Sequence, residues 1–248
     1  MKLLLAVFVL SLSAIFPVAL VSEQEPTVIP LASEPHHRLA LHNDYVNLYE
    51  VTVAPGDSVR LHRHDTDAIS LSLSESLVTV HTPGKADVQQ KLAYGQIRLQ
   101  ALGFVHSTLV EGDIPFHNIT VELLLPQTGE QNRCAQVIAG QPLNCTTARQ
   151  GAAGSAGHDD QPQFETEQTT VALVRLAPHG RVGLTDLGGA ELMIALDAGI
   201  AQAGGIGMEK QLNAGDFAWV DSSDTARVFK NDTERETRFV YFVFKPKR

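Results

Sequence analysis

The sequence predicts an all-β fold in which one structural unit occurs twice. Between residues 67 and 74, apolar residues alternate with alanine and serine, which is the two-residue period of a half-buried β-strand. The chain also resembles itself, because 54–73 matches 177–196 and 92–123 matches 212–243, in both cases without a gap. With 44% apolar residues in a chain of 248, both units can bury a core.

The equivalent positions of the two units carry similar residues. Ala54-Pro55 stands opposite Ala177-Pro178, and Gly95 stands opposite Gly215. The apolar pairs set Val59, Leu61, Ile69, Leu71 and Leu73 against Val182, Leu184, Leu192, Ile194 and Leu196, and Ile119, Val121 and Leu123 against Phe239, Tyr241 and Val243. This agreement predicts two copies of the same strand order.

Residues 1–22 are predicted to be a secretory signal peptide. Lys2 precedes an apolar run of eighteen residues, 3–20, and Glu23 opens a polar segment. An uncleaved membrane anchor is the alternative, since eighteen residues approach the length that spans a bilayer. Cleavage after Ser22 would give a soluble protein, secreted or periplasmic, that has no membrane contact.

The charge of the mature chain argues against nucleic acid as a partner. The formal charge of −9 becomes −10 once Lys2 is removed, whereas nucleic-acid sites need basic surfaces.

Residues 128–165 are predicted to link the two units. Gly and Ala dominate 151–157, as in flexible linkers. Cys134 and Cys145 lie in the same segment, and in an exported chain we expect them to form a local disulfide. Metal ligation by this pair is the weaker alternative, since the segment offers few further ligands.

The residues that most resemble a chemical site are His62, His64, Asp67 and His106. Three imidazoles and a carboxylate suit a borderline divalent metal. Alternation places His62 and His64 on one side of a strand, and a turn before Asp67 would bring its side chain to the same interior. Arg60 shares the parity of these histidines and is a candidate for binding an anionic substrate.

A metal would satisfy this polar cluster, because burying histidines and a carboxylate without partners costs several kcal/mol. A hydrogen-bonded polar pocket without metal is the alternative.

The spacing of these residues resembles the two motifs of the cupin family. Gly56, His62, His64 and Asp67 match the first motif, with Ser74 in its last glycine place. The second motif is matched by Gly95, Gly103 and His106, with Ala101 and Val110 in its proline and asparagine places. The resemblance implies two jelly-roll barrels in tandem, at 35–127 and 166–248.

The second copy lacks the ligands. Opposite His62, His64, Asp67 and His106 stand Thr185, Leu187, Ala190 and Ala226, none of which binds a metal strongly. We therefore expect one metal site in the chain, in the first barrel, and a degenerate second barrel.

The resemblance implies a metal-dependent enzyme that acts on a small oxygenated molecule, as dioxygenase, decarboxylase or isomerase. The implied cofactor is one divalent metal, which could be Fe, Mn, Zn, Ni or Cu. A non-catalytic protein that binds a small ligand outside the cytoplasm is the alternative. Cupins commonly pair through exposed sheets, so a homodimer is a further expectation.

Overall fold

The computed structural model describes residues 27–125, 158–184, 189–204, 208–221 and 227–245. The predicted signal peptide and the predicted Cys134–Cys145 disulfide lie outside the described residues. Within these ranges, no helix is both long enough and apolar enough to span a bilayer.

The first unit contains one 3₁₀ turn and ten strands. The turn spans Leu31–Ser33. The strands are β1 Ile29–Pro30, β2 His37–His42, β3 Val46–Val53, β4 Ser58–Arg63, β5 Ala68–Ser72, β6 Leu77–His81, β7 Val88–Lys91, β8 Ile97–Gln100, β9 Val105–Val110 and β10 Phe116–Leu123.

The second unit repeats this order. Its described strands are β11 His158–Glu165, β12 Thr169–Leu176, β13 Arg181–Leu184, β14 Glu191–Ala195, β15 Ile200–Gly204, β16 Met208–Leu212, β17 Phe217–Val220, β18 Arg227–Asn231 and β19 Thr237–Phe244.

Each unit consists of two sheets that together form a jelly-roll barrel. We define the first outer sheet as β1-β4-β9-β6-β7 and the first inner sheet as β2-β3-β10-β5-β8. The second inner sheet is β11-β12-β19-β14-β17, and the second outer sheet is β13-β18-β15-β16. The equivalent strands pair in the same order in both units. The predicted all-β fold with two tandem barrels is confirmed.

The second barrel begins earlier in the chain than its strand pattern suggested. His158–Glu165, part of the predicted linker, pairs with β12 at the edge of the second inner sheet. An edge strand is held by backbone hydrogen bonds to one neighbour and needs no regular apolar alternation. Composition therefore did not distinguish this strand from the Gly/Ala segment before it.

The two barrels pack together through their inner sheets. One continuous cluster joins Ile69 and Leu71 of β5 to Leu192 of β14 and Phe242 of β19, all four with no exposed surface. Polar contacts cross the same junction, since Gln168 donates a hydrogen bond from Nε2 to the carbonyl oxygen of Tyr45 at 2.7 Å. The two units therefore share a hydrophobic core.

This packing changes the interpretation of β5. The apolar alternation of Ile69, Leu71 and Leu73 marks the face that covers the other barrel. The serine face, with Ser70 and Ser72, shares the opposite side with cavity residues of the neighbouring strands and is also buried. The alternation alone is most simply interpreted as an apolar face inside the barrel, but in β5 it is the serine face that points inward.

The sequence alignment of the last strands is displaced by one residue. Ile119 pairs with Leu71, and in the second unit Val240 pairs with Ile194. Val240, Phe242 and Phe244 therefore occupy the places of Ile119, Val121 and Leu123, whereas the alignment had chosen Phe239, Tyr241 and Val243. A slip of one residue exchanges the two faces of a strand, and both faces of β19 are apolar, so hydrophobicity alone could not fix the register.

Candidate metal centre

Three histidines meet inside the first barrel. His62 on β4 and His106 on β9 are directly paired across the first outer sheet. His64 follows β4 and is held by backbone hydrogen bonds, because its N–H donates to the Phe104 carbonyl and its carbonyl accepts from the Gly103 N–H. Gly103 has a φ of 82°, a left-handed conformation that favours glycine in this tight connection.

The three imidazoles are close enough to share one ion. One ring nitrogen of each lies within 4.8 Å of those of the other two, and the Nε2 atoms of His64 and His106 are 3.1 Å apart. Two nitrogens bound about 2.1 Å from one ion are separated by about 3.0 Å at a right angle and about 3.4 Å at the tetrahedral angle. The observed separation lies in this interval.

The hydrogen bonds of the rings also fit a metal. His62 Nδ1 lies 2.8 Å from the carbonyl oxygen of Arg60, to which it can only donate. Its Nε2 then carries the lone pair, and that atom is buried without a partner, as is Nδ1 of His64. Metal-binding histidines commonly donate their other N–H to a backbone carbonyl in this way. A pocket held only by hydrogen bonds leaves His62 Nε2 without a partner, and a metal bound there would satisfy it.

Burial keeps all three histidines neutral. It lowers the pKa of His62 to about 4 and that of His64 to about 3. The pKa of His106 also lies well below 6.5, mainly because of burial, and the nearby His62 and His64 lower it further. Neutral imidazole is the form that binds a metal, so the donors are available near pH 7 without loss of protons.

These shifts predict how stability varies with pH in the metal-free protein. In the unfolded chain both histidines regain a pKa near 6.5 and bind protons that the folded state excludes. We therefore expect the free energy of unfolding to fall between pH 7 and pH 5. Urea unfolding at several pH values measures this decline. His62→Gln, which cannot be protonated, should show a shallower decline, and an equal decline would contradict the assigned burial effect.

The structure does not bring Asp67 into this group. Its carboxylate Oδ1 accepts a hydrogen bond from the backbone N–H of Leu102 at 2.7 Å. Asp67 lies two residues before Ile69 and so shares its side of the strand, which faces the second barrel. The turn at Asp65 and Thr66 therefore does not direct the side chain of Asp67 into the interior. Among the described residues, the ligand group consists of histidines alone.

We expect Asp67→Asn to retain the full metal content. The amide oxygen of asparagine can still accept the Leu102 N–H, so the loop keeps its connection while the charge is lost. Metal content per chain, measured by elemental analysis, checks this. A clear loss of metal in a folded variant would show that the carboxylate does take part in binding.

Arg60 is also separated from the histidines. A β-bulge between Val59 and His62 places two residues of β4 opposite one residue of β9. Val59 and His62 both line the interior, and Arg60 is exposed. An inserted residue reverses the alternation and redirects a side chain, which strand parity alone could not foresee.

The histidines line a small cavity inside the barrel. The cavity is small, with room for about three water molecules. The polar residues around it, besides the three histidines, are His37, Arg98, Gln100, Thr108, Asn118 and Thr120.

Arg98 and Gln100 are two of the cavity residues that sequence reasoning missed. They alternate with Ile97 and Leu99, whose apolar side chains pack at the junction of the barrels. The repeat could have revealed Arg98. A charged residue stands there at a position where the second unit has an alanine, so the two copies differ in polarity at this place.

A buried carboxylate supports the wall of the cavity. Glu34 accepts hydrogen bonds from His37 Nδ1 at 2.7 Å and from the Arg60 backbone N–H at 3.1 Å, and its Oε1 lies 3.0 Å from His36 Nδ1. Burial raises the pKa of Glu34, but these hydrogen bonds outweigh it and lower the value to about 2. The ionised carboxylate therefore fixes the ring of His37, whose centroid is 5.0 Å from that of His62.

The interior of the second barrel is apolar at the same places. Strand pairing sets Met193, Ala218, Phe229 and Phe239 at the positions of Ser70, Arg98, Thr108 and Asn118. Met193, Phe229 and Phe239 have no exposed surface and fill the space. The same pairing puts Arg227 at the place of His106, rather than Ala226, and arginine is no metal ligand either.

Neither a protein-family model nor a curated protein matches this sequence. Solved structures do match its fold. AerE from Microcystis aeruginosa has a TM-score of 0.59 at 12% identity, over 86% of this chain and 99% of that one. Salicylate 1,2-dioxygenase from Pseudaminobacter salicylatoxidans has a TM-score of 0.57 at 16% identity, over 83% of this chain and 75% of that one.

A cupin 2 conserved barrel domain protein from Leptotrichia buccalis has a TM-score of 0.53 at 8% identity, over 84% of this chain and 87% of that one. Oxalate decarboxylases are also among the matches. At these identities the likeness concerns the fold. The chain has the cupin fold, and it carries that fold twice.

Proposed function

We propose that this protein is a metal-dependent enzyme that acts on a small oxygenated molecule inside the first barrel. The observation that carries the proposal is the meeting of His62, His64 and His106, where the Nε2 atom of His62 is buried without a partner. Three neutral ligands leave coordination positions open, as in catalytic rather than closed structural sites. A bound metal would supply a Lewis acid or an oxygen-activating centre.

The surrounding cavity supports a small substrate. Its walls combine apolar side chains such as Val51 and Phe116 with the polar residues named above, so they could enclose a small ligand and also form hydrogen bonds to it. The similarity in fold to a dioxygenase and to oxalate decarboxylases supports this class of reaction, although a shared fold hosts many activities. The divalent ion is Fe, Mn, Zn, Ni or Cu, since imidazole ligands suit several of these metals.

The first experiment is an elemental assay of protein purified without chelator and without a nickel column. We expect about one divalent ion per chain. The second is an oxygen-uptake and turnover screen over small acids, phenols and sugars with the metal-loaded protein. Turnover of any of them supports the enzyme, and a protein that holds no metal under any loading condition contradicts the proposal.

A binding protein is the second candidate. The narrow cavity and the restraint of His37 by Glu34 are also what a rigid binding pocket requires. A full metal complement with no turnover in the screen, together with saturable binding of one compound, would favour this function.

We also propose that the protein is exported. The support is the apolar run of residues 3–20 between Lys2 and the polar segment at Glu23. Expression with the native N-terminus should give an extracytoplasmic protein whose first residue is Glu23, as measured by N-terminal sequencing. Retention of Met1 on a cytoplasmic product would refute this.

A further inference from the structure

A cationic side chain lies in the cavity beside the histidines without a matching acid. Arg98 on β8 lines the cavity, and its Nε is buried and has no hydrogen-bond partner. Its only side-chain hydrogen bond among the described residues is a long one, 3.4 Å from NH1 to Oε1 of Gln90. Burial lowers the pKa of Arg98 to about 10, so the guanidinium remains charged at pH 7.

The carboxylates of the region are engaged elsewhere. Glu34 is bound by His36, His37 and the Arg60 backbone, and Glu122 accepts a hydrogen bond from Asn47 Nδ2 at 2.9 Å and interacts with Tyr49. Neither lines the cavity, and no carboxylate is among its lining residues. Arg98 is partly exposed, but its Nε is buried without a partner, and an anionic ligand in the cavity would both accept from this N–H and balance the charge.

The neighbouring polar atoms are also unsatisfied. Ser70 is paired with Arg98 across the first inner sheet, and its hydroxyl is buried without a partner. The amide oxygens of Gln100 and Asn118, both on the cavity wall, lack partners as well. Since amide groups can be turned to present N–H₂, this wall can offer several donors to one oxyanion.

The histidine group adds to the positive charge of the cavity. With Asp67 turned away, the ligands contribute no negative charge, so a divalent ion held there would keep its full charge of +2. Metal and guanidinium would then both favour an anion between them. A planar carboxylate suits this arrangement, because guanidinium binds it through two parallel hydrogen bonds.

We propose that the cavity binds the carboxylate group of a small organic acid and that Arg98 is its counter-ion. This inference rests on the proposed metal site and names the class of its ligand. The available space, about three water molecules, fits an acid of the size of acetate or oxalate. Arg98 thus takes the role that sequence parity had suggested for Arg60.

The test uses the full chain loaded with Co²⁺, whose visible absorption reports on the ligands around it. Acetate and oxalate are titrated into wild type, with acetamide and oxamide as neutral counterparts of similar shape. We expect saturable spectral changes with the acids at concentrations where the amides have no effect. Co²⁺ content is measured on every sample.

Arg98→Met removes the charge and keeps a side chain of similar bulk, and the exposed Arg60→Met is the matched control. Loss of charged hydrogen bonds should weaken acid binding roughly 10- to 100-fold in Arg98→Met. We expect less than a twofold change in Arg60→Met, with one Co²⁺ per chain in both variants. Arg98→Lys, a milder change, should bind with intermediate affinity because lysine keeps the charge without the planar pair of donors.

Equal binding of acids and amides by wild type would overturn the inference, and that comparison needs no variant. Unchanged acid binding in a folded Arg98→Met would also overturn it. In either case one Co²⁺ per chain would leave the proposed metal site intact, whereas wild type without bound Co²⁺ would refute the metal site itself.

Discussion

Replacing His106 with alanine is expected to abolish stable metal binding. His106 is the residue whose Nε2 lies 3.1 Å from that of His64, and it pairs directly with His62. Removing it leaves two imidazoles, and two neutral ligands do not hold a first-row divalent ion through purification. Elemental analysis of the purified variant should give well below one ion per chain, because loss of a residue that merely supports a ligand already weakens binding roughly 10- to 100-fold and loss of the ligand itself should cost more.

His117→Ala is the control for this substitution. His117 is a half-buried histidine on β10 whose ring lies toward Gly215 of the second barrel. We expect it to keep the metal content of wild type. If His106→Ala also kept its full complement, the site would be assigned to the wrong residues.

Replacing Phe242 with alanine is expected to destabilise both barrels at once. Phe242 is fully buried in the cluster that joins the two inner sheets. Truncation of a buried phenylalanine typically costs about 3 to 5 kcal/mol, because it removes apolar contacts and leaves a cavity. Because both barrels share this cluster, we expect wild type and variant each to unfold in one transition, the variant at lower urea concentration.

The single tryptophan of the chain provides the signal for this measurement. Trp219 lies on the second barrel, and its ring centroid is 5.7 Å from that of Tyr45 in the first barrel and 5.2 Å from that of Phe244. Its fluorescence therefore reports on the junction, and circular dichroism reports on all strands. Leu109→Ala, at a partly exposed position of β9, should shift the midpoint only slightly. Separate transitions for the two probes would show that the barrels fold independently.

The similarity to the two cupin motifs predicted which histidines meet. His62 and His64 lie two residues apart near the end of one strand, and His106 lies on the strand paired with it. That pairing is a property of the whole barrel, which the similarity to known motifs supplied. The repeat likewise predicted two similar barrels, because equivalent strands carry equivalent apolar residues.

The direction of the side chains could not be predicted in the same way. Alternation shows that a strand has two different faces, but both faces of β5 are buried, one by the second barrel and one by its own interior. The apolar face packs against the second barrel, so the serines lie on the face that points toward the interior of the first barrel. Asp67, which shares the parity of the apolar face, was thereby removed from the ligand group.

The sequence by itself determined the all-β fold and its duplication, because these depend on local alternation and on repeated residue types, and its similarity to the cupin motifs singled out the three histidines. The tertiary structure decided which arginine enters the cavity. The bulge in β4 turns Arg60 outward, and the packing of Ile97 and Leu99 against the second barrel turns Arg98 inward. Both outcomes depend on contacts between strands that are distant in the chain, and a one-residue change of register is enough to reverse either of them.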